Sequence, residues 1–373
     1  MACYDVSSMI RIPIVTAASS YEAVIEQGAL ARAGELLGNL LGTADPLFIV
    51  TVAPVRRRWG KVLAGSLRGA GFKFHVLEMA NGERFKRLAS LERLCEEMLR
   101  LGADRKAVVL AFGGGVVGDV GGMLASVYMR GVRLVQIPTT VQAQLDAAIG
   151  GKTGVNLKAG KNLVGTFYQP RLVLIDPAAL ETLPDREFRA GMYEALKAGV
   201  IGNAELFARL EQCSIKSLRA DRELTAWAIA ESVRLKARVV SADEREGDLR
   251  RVLNLGHTLG HALEAASGYK RFLHGEAVAW GMWAAARIAL DLGRCERPVY
   301  ERMVGAILNW GKLPSVTLQA GRAMRLVQSD KKTERGVVNF VLPTEIGKVE
   351  VVKNVTPAAI AAALAEMRQA SRG

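Results

Sequence analysis

The stretch AVVLAFGGGVVGDVGG, residues 107–122, decides the fold class. A short apolar run that ends in glycines is the mark of a strand buried on both faces. The same glycines lead into a helical segment. In a strand–turn–helix unit the first helical N–H groups point at the turn, and glycines let the backbone approach a phosphate there. Gly113, Gly115 and Gly118 satisfy G-x-G-x-x-G. The acidic residue expected about 20 positions later is absent, since that region reads RLVQIPTT. The stretch is therefore read as a dinucleotide or phosphate loop of another kind. A tight strand–helix turn with no ligand is the plainer alternative.

The flanking sequence carries the same alternation outward. RIPIVTA (11–17), LFIVTV (47–52), LVQIPTT (134–140) and RLVLIDP (171–177) read as strands, being rich in β-branched and aliphatic residues. YEAVIEQGALARAGELLGNLLG (21–42) and SLERLCEEMLRLG (90–102) read as helices with apolar residues at helical spacing. Beyond TLPDREF (182–188), strand signals give way to alanine-rich helical patterns up to about Leu313. The segment GVVNFVLPTEIGKVEVV (336–352) reads as a hairpin. TPAAIAAALAEMRQA (356–370) reads as a last helix, with Thr356 as N-cap and Pro357 in the first turn. The expectation is an α/β domain at 1–183, with a mainly parallel, Rossmann-like sheet, and a mostly helical, metal-binding domain at 184–373.

Composition narrows the function. Among 373 residues, 50 Lys and Arg stand against 37 Asp and Glu, a net charge of +13. This favours acidic small molecules or nucleic acid. The basic residues are spread along the chain, however, with Arg56, Arg57 and Arg58 the one tight run. No zinc-finger spacing or aromatic–basic signature accompanies them, so nucleic acid is not expected as a partner. Cys3, Cys95, Cys213 and Cys295 are far apart and form no CxxC pair, which suits a reducing cytoplasm. No secretory leader is read at the N-terminus. No uncharged apolar run reaches the ~18 residues of a membrane span.

Three further segments carry polar chemistry. DAAIGGKTGVNLKAGKNLVGTFYQP (146–170) sets Lys152, Lys158 and Lys161 among five glycines, with Asn156 and Asn162. That mixture suits a polyanionic ligand, although the P-loop spacing fails. A solvated surface loop is the alternative, although apolar Ile149, Val155, Leu163 and Val164 suggest a packed one. In GMYEALKAGVI (191–201), Glu194 and Lys197 fall on one helical face in apolar surroundings. A surface ion pair is the bland reading there. Finally, LNLGHTLGHALEAASGYKRFLHGEAVAWGM (253–282) holds His257, His261 and His274, three of the chain's four histidines. Two histidines and one carboxylate make a catalytic metal site with an open position. Glu194 is the best carboxylate candidate, with Glu264 and Glu276 as nearby competitors. Spacing does not say which histidine is spare.

Taken together, GGGVVGD, YMRGVRLVQIPTT, GGKTGVN, GKNLVGTFYQP, LNLGHTLGHALE and LHGEAVAWGM resemble the 3-dehydroquinate synthase family in order and spacing, over nearly the whole chain. The resemblance implies zinc or cobalt on Glu194, His257 and His274. It implies NAD held by Asn81, Gly82, Glu83, Arg84, Phe85, Lys86, Gly114, Gly115, Val116, Val117, Gly118, Asp119, Thr139, Thr140, Lys152, Lys161, Ala179, Leu180, Glu181 and Thr182. It implies substrate contacts or catalytic roles for Arg130, Asp146, Lys152, Asn162, Lys197, Lys236, Arg250, Asn254, His261, Lys331 and Lys332. A homodimer is implied as well, with Arg130 reaching the neighbouring subunit's site. The sequence departs from the family at Val52 and Pro54, where an acidic residue and an asparagine are usual near the adenine ribose.

The implied reaction converts 3-deoxy-D-arabino-heptulosonate 7-phosphate to 3-dehydroquinate. Transient oxidation by NAD acidifies a neighbouring proton, phosphate leaves, the hydride returns, and the opened ring closes by an aldol step. The other members of the superfamily, the 2-deoxy-scyllo-inosose and 2-epi-5-epi-valiolone synthases, are the nearest rivals. A metal-dependent polyol dehydrogenase and a basic nucleic-acid-binding protein are the more distant ones.

Overall fold

The computed structural model describes residues 9–17, 19–328, 338–353 and 355–372. The chain forms two compact units, Met1–Leu183 with Lys236–Arg245, and Pro184–Leu235 with Glu246–Gly373. The chain thus passes from one unit to the other at 183–184, and ten residues further on, Lys236–Arg245, group with the first unit again.

In the first unit the strands are β1 (Ile10–Val15), β2 (Ser20–Ile25), β3 (Leu47–Val52), β4 (Phe74–Met79), β5 (Val108–Gly113), β6 (Arg133–Pro138), β7 (Lys152–Leu157), β8 (Gly160–Phe167) and β9 (Leu172–Ile175). Its helices are α1 (Ala33–Gly38), α2 (Ala53–Gly69), α3 (Leu88–Arg100) and α4 (Gly115–Val127). Seven strands form one sheet in the order β1-β2-β9-β6-β5-β3-β4. Only the β1–β2 pair is antiparallel.

Period-two alternation splits the strand side chains between two apolar layers. Phe48, Val50 and Val52 of β3, with Val109 and Ala111 of β5, join Leu91, Leu94 and Met98 of α3 and Val117, Val120 and Leu124 of α4. Leu47 and Ile49, with Val108, Leu110 and Phe112, join Leu36 and Leu37 of α1 and Leu63 and Leu67 of α2. Both faces of β3 and β5 are covered, which is why these strands read as unbroken apolar runs.

Two local expectations fail. Residues 21–42 do not form one helix. Their first part is β2, with Tyr21, Ala23, Val24 and Ile25 buried against neighbouring strands. Gly28 (φ 83°) then turns the chain, and only a short helical piece and α1 follow. The buried sheet edge outweighs helical spacing here. The glycine-rich segment from Asp146 is likewise more ordered than a loop. It contains the antiparallel hairpin β7–β8, with Thr153 opposite Thr166 and Val155 opposite Val164.

The second unit is helical, with α5 (Asp185–Gly202), α6 (Ala204–Glu211), α7 (Ile215–Ala220), most of α8 (Arg222–Ala242), α9 (His257–Ala266), α10 (His274–Asp291), α11 (Arg297–Asn309), α12 (Ala320–Gln328) and α13 (Pro357–Ala370). The hairpin strands β10 (Asn339–Glu345) and β11 (Lys348–Lys353) pair as expected. The last helix, α13, also starts where the sequence places it, with the Thr356 hydroxyl accepting from Ala359 N at 3.2 Å. The centre is α10, whose side chains from Gly275 to Ala286 are all buried. Its small residues let neighbouring backbones come close. A Cβ at Gly275 would lie 1.7 Å from the Ala190 carbonyl oxygen of α5, and one at Gly281 would lie 1.8 Å from Gly256 O at the start of α9. These contacts bring the helix starts that carry His257 and His274 close to the middle of α5, where Glu194 sits.

Candidate metal centre and nucleotide-binding edge

The helical unit gathers its polar residues around the first turns of α9 and α10. His257 is the first residue of α9 and His274 the first of α10. Glu194 sits within α5, one turn before Lys197. Glu194 is 1% exposed, Lys197 5% and His257 8%. The Glu194, His257 and His274 ligand atoms lie within 4.8 Å of one another. His261, Glu264 and His274 meet the same criterion as a second, overlapping group. The three imidazole centroids are 5.2, 5.3 and 6.0 Å apart.

Hydrogen bonding orients the two candidate ligand histidines. His257 Nδ1 lies 3.1 Å from Leu255 O, and His274 Nδ1 lies 3.1 Å from Glu264 Oε2. A carbonyl and a carboxylate only accept, so each Nδ1 carries the proton and each Nε2 presents a lone pair. His274 Nε2 then faces Glu194 Oε1 at 3.6 Å, one electron-rich atom against another. Lys197 Nζ approaches Glu194 Oε2 to 2.5 Å, but off hydrogen-bond alignment, and both buried oxygens of Glu194 lack a hydrogen-bond partner. With the imidazoles neutral, these acceptors turned on one another fit a cation, and the N, N, O donor set suits a borderline divalent one.

The competing carboxylates are engaged elsewhere. Both oxygens of Glu276 accept from Arg186, at 2.7 Å each, and Glu276 Oε2 also accepts from Leu273 N. Glu264 holds His274 Nδ1. Burial alone would lower the His274 pKa, but the hydrogen bond and charge of Glu264 and the charge of Glu194 outweigh it and raise it above the ordinary imidazole value. In the same unit, Arg250 is buried at 2% exposure, and Asn254 Nδ2 donates to Glu246 Oε1 at 3.2 Å. Glu246 was not anticipated. Its left-handed backbone (φ 63°) has no mark in the sequence, and its only signal is a place eight residues before Asn254. Lys331 and Lys332 lie outside the described residues.

In the sheet unit, topology singles out one edge. From β3 the chain moves to β4 on one side, then returns to β5 on the other. Such a reversal opens a crevice at the carboxyl ends of the two strands, where open α/β sheets bind nucleotides. Val52 ends β3, and Gly114 caps α4 directly after β5. Asn81, Gly82, Glu83, Arg84, Phe85 and Lys86 follow the end of β4, while Thr139 and Thr140 follow β6. The residues present therefore fit a dinucleotide in general position and backbone.

A polar network ties these loops together. The Lys86 ammonium, on a residue only 3% exposed, donates to Asp119 and to Asn162. Asn156 Nδ2 donates to Glu83 at 2.8 Å, and Asn162 N donates to Asn156 Oδ1 at 2.8 Å. Burial raises the Asp119 carboxyl above its ordinary value against the opposing charge of Lys86. Lys236 Nζ donates to the Asp146 carboxylate at 2.6 Å, joining the returning segment to the start of the hairpin region. Lys152 opens β7 and Lys161 lies on β8. Met129, Arg130 and Gly131 all have positive φ, so Arg130 projects from a strained turn. Other named positions are less available. Val117, Ala179 and Leu180 bury their side chains, leaving only backbone for a ligand, and Thr182 Oγ1 accepts from Trp59 Nε1. Val116 is partly buried, Glu181 exposed, and Arg84 stacks 4.6 Å over its neighbour Phe85.

A parallel-sheet unit with a nucleotide-type switch point, in one chain with a helical unit bearing a clustered Glu–His–His set, defines the dehydroquinate-synthase-like class of cyclising enzymes. Residues 76–190 match the N-terminal profile of 3-dehydroquinate synthase, and residues 191–333 match the C-terminal one. The chain belongs to the 3-dehydroquinate synthase family. It is 50% identical to the 3-dehydroquinate synthase of Koribacter versatilis (strain Ellin345), over 97% of this chain and 99% of the relative. Among solved structures it is similar to ValA, a 2-epi-5-epi-valiolone synthase from Streptomyces hygroscopicus subsp. jinggangensis 5008 with NAD+ and Zn2+ bound. That similarity has a TM-score of 0.86 and 32% identity, covering 94% of this chain and 98% of that one. A 2-deoxy-scyllo-inosose synthase complexed with carbaglucose-6-phosphate, NAD+ and Co2+ follows at TM-score 0.83 and 25% identity, covering 96% and 99%. No helix among the described residues is long and apolar enough to cross a membrane.

Proposed function

We propose that this chain is a 3-dehydroquinate synthase, converting 3-deoxy-D-arabino-heptulosonate 7-phosphate to 3-dehydroquinate and phosphate. The observation that carries this is the Glu194–His257–His274 set, buried at Glu194 and His257, within a chain 50% identical over 97% of its length to a 3-dehydroquinate synthase. When bound, NAD supplies reversible hydride acceptance and a zinc or cobalt ion supplies Lewis acidity at a substrate hydroxyl. Glu194, His257 and His274 hold the metal. The loops after β4, β5 and β6, with Asp119, Lys152 and Lys161, hold the nucleotide.

The remaining residues bind and orient. Lys197 and Asn162 offer donors to phosphate, and Arg250 and Asn254 to the substrate carboxylate, as a dianionic substrate requires. His261, one helical turn beyond His257, moves the proton of the reacting hydroxyl. Lys236 fixes Asp146 through its ion pair. Arg130, Lys331 and Lys332 complete the proposed substrate set, and a cytoplasmic homodimer is the proposed working form.

The test supplies the seven-carbon phosphate acid with NAD and zinc or cobalt, then follows inorganic phosphate, product identity and NADH absorbance. Phosphate and 3-dehydroquinate should accumulate while the NADH band stays flat. Stoichiometric NADH would move the chain to the dehydrogenase reading. A substrate preference for a sugar phosphate lacking the carboxylate would move it to another cyclase.

A further inference from the structure

Three residues on one face of α9 divide the work of the centre. His257, His261 and Glu264 stand at i, i+4 and i+7, spacing that stacks them along a helix. Glu264 is 4% exposed and its Oε2 lies 3.1 Å from His274 Nδ1, on a different helix. His257, by contrast, turns its Nδ1 to the neutral carbonyl of Leu255. The two histidines therefore differ in what backs them, a full negative charge in one case and a peptide dipole in the other.

We propose that Glu264 is the positioning residue of this centre. It fixes the Nδ1–H tautomer and the ring direction of His274, and its charge makes His274 Nε2 a stronger metal donor than His257 Nε2. The inference rests on the metal reading above. Two observations separate this role from direct ligation. Glu264 Oε2 already has the His274 proton as partner, whereas both Glu194 oxygens are buried without a hydrogen bond, with only the Lys197 ammonium beside Oε2. Moreover, the His274 ring has one nitrogen on each side, so the atom aimed at Glu194 is the one Glu264 leaves unprotonated. A carboxylate behind a ligand histidine raises that ligand's basicity, and its loss costs roughly 10–100-fold in metal affinity.

The experiment titrates metal-free protein with Co2+ and compares wild type, Glu264→Gln and Glu264→Ala. Visible absorption reads the cobalt geometry, and 15N spectra of histidine-labelled apo protein read the His274 tautomer. Gln still accepts from Nδ1–H but carries no charge. It should keep the tautomer, lose roughly tenfold in Co2+ affinity and shift the cobalt band. Ala should lose both the tautomer and more affinity. Equal affinity and an unchanged band in both variants would overturn the proposal, as would a Co2+ stoichiometry that falls from two ions to one on removing Glu264. If wild type takes up no Co2+, the metal reading fails by itself. The apo spectra then still decide on Glu264, because an unchanged His274 tautomer in the Ala variant overturns its positioning role.

Discussion

Removing Arg186 should weaken the helical unit through a carboxylate it does not share with solvent. Glu276 is 0% exposed, and Arg186 donates to both of its oxygens at 2.7 Å. Two charge-assisted bonds are worth about 1.5–3 kcal/mol each, and breaking a buried pair by deleting one partner costs about 3–5 kcal/mol. Two features reduce that figure. The Arg186 side chain is 53% exposed, so water screens the pair, and Arg189 Nη2 stands 3.7 Å from Glu276 Oε1 as a partial substitute. Arg186→Ala should therefore cost about 2 kcal/mol, a fall of roughly 4–8 °C in Tm for a unit of this size. Urea unfolding of the metal-free protein measures it. Adding Glu276→Gln should recover part of the loss, because the stranded charge is what Arg186→Ala exposes. A loss under about 0.5 kcal/mol, or no recovery in the double variant, would refute the reasoning.

Glu366 gives a pH-dependent case. Burial pushes its carboxyl up, but bonds from Trp283, Tyr300 and Arg287 prevail and hold it below the ordinary 4.5. A depressed carboxyl stabilises the fold above its unfolded value and stops doing so as pH falls through the folded one. The stability gap between wild type and Glu366→Gln should thus be full at neutral pH and shrink below about pH 4.5 in urea titrations. At the centre, His257→Ala should lose metal by elemental analysis. His261→Ala should keep it and lose turnover by roughly 10²–10⁴-fold, and the reverse pattern would exchange their roles. Gly275→Ala sets a Cβ against the Ala190 carbonyl and should part α5 from α10. A Co2+ affinity equal to wild type would show that this approach is not needed.

The buried strands were legible because both faces of β3 and β5 are covered, which makes their text uniformly apolar. β2 was not, since its Glu22 and the Glu26 just past its end mimic a helical pattern that only pairing with β1 and β9 overrides. The β7–β8 hairpin hid behind glycines, whose lack of side chain is what lets Gly154 and Gly165 sit against the opposite strand. The histidine cluster could be read from position alone. The sequence favours Glu194 over Glu264 and Glu276 by position, but all three are buried and only their hydrogen-bond partners set them apart physically. The return of Lys236–Arg245 to the first unit was equally silent, being mostly the tail of one continuous helix.

The scarcity of histidine has a practical side. Of four imidazoles, three crowd the helical centre, and the fourth, His75 on β4, stacks on Phe48 in the sheet unit at 5.3 Å. A sample labelled with 15N at histidine alone is therefore a sparse, self-assigned spectrum with one reporter for the sheet unit. Metal uptake should move three signals and leave His75 as an internal standard, while loosening of the sheet unit should move His75 alone. A single titration then distinguishes an emptied centre from a damaged fold, which activity by itself does not.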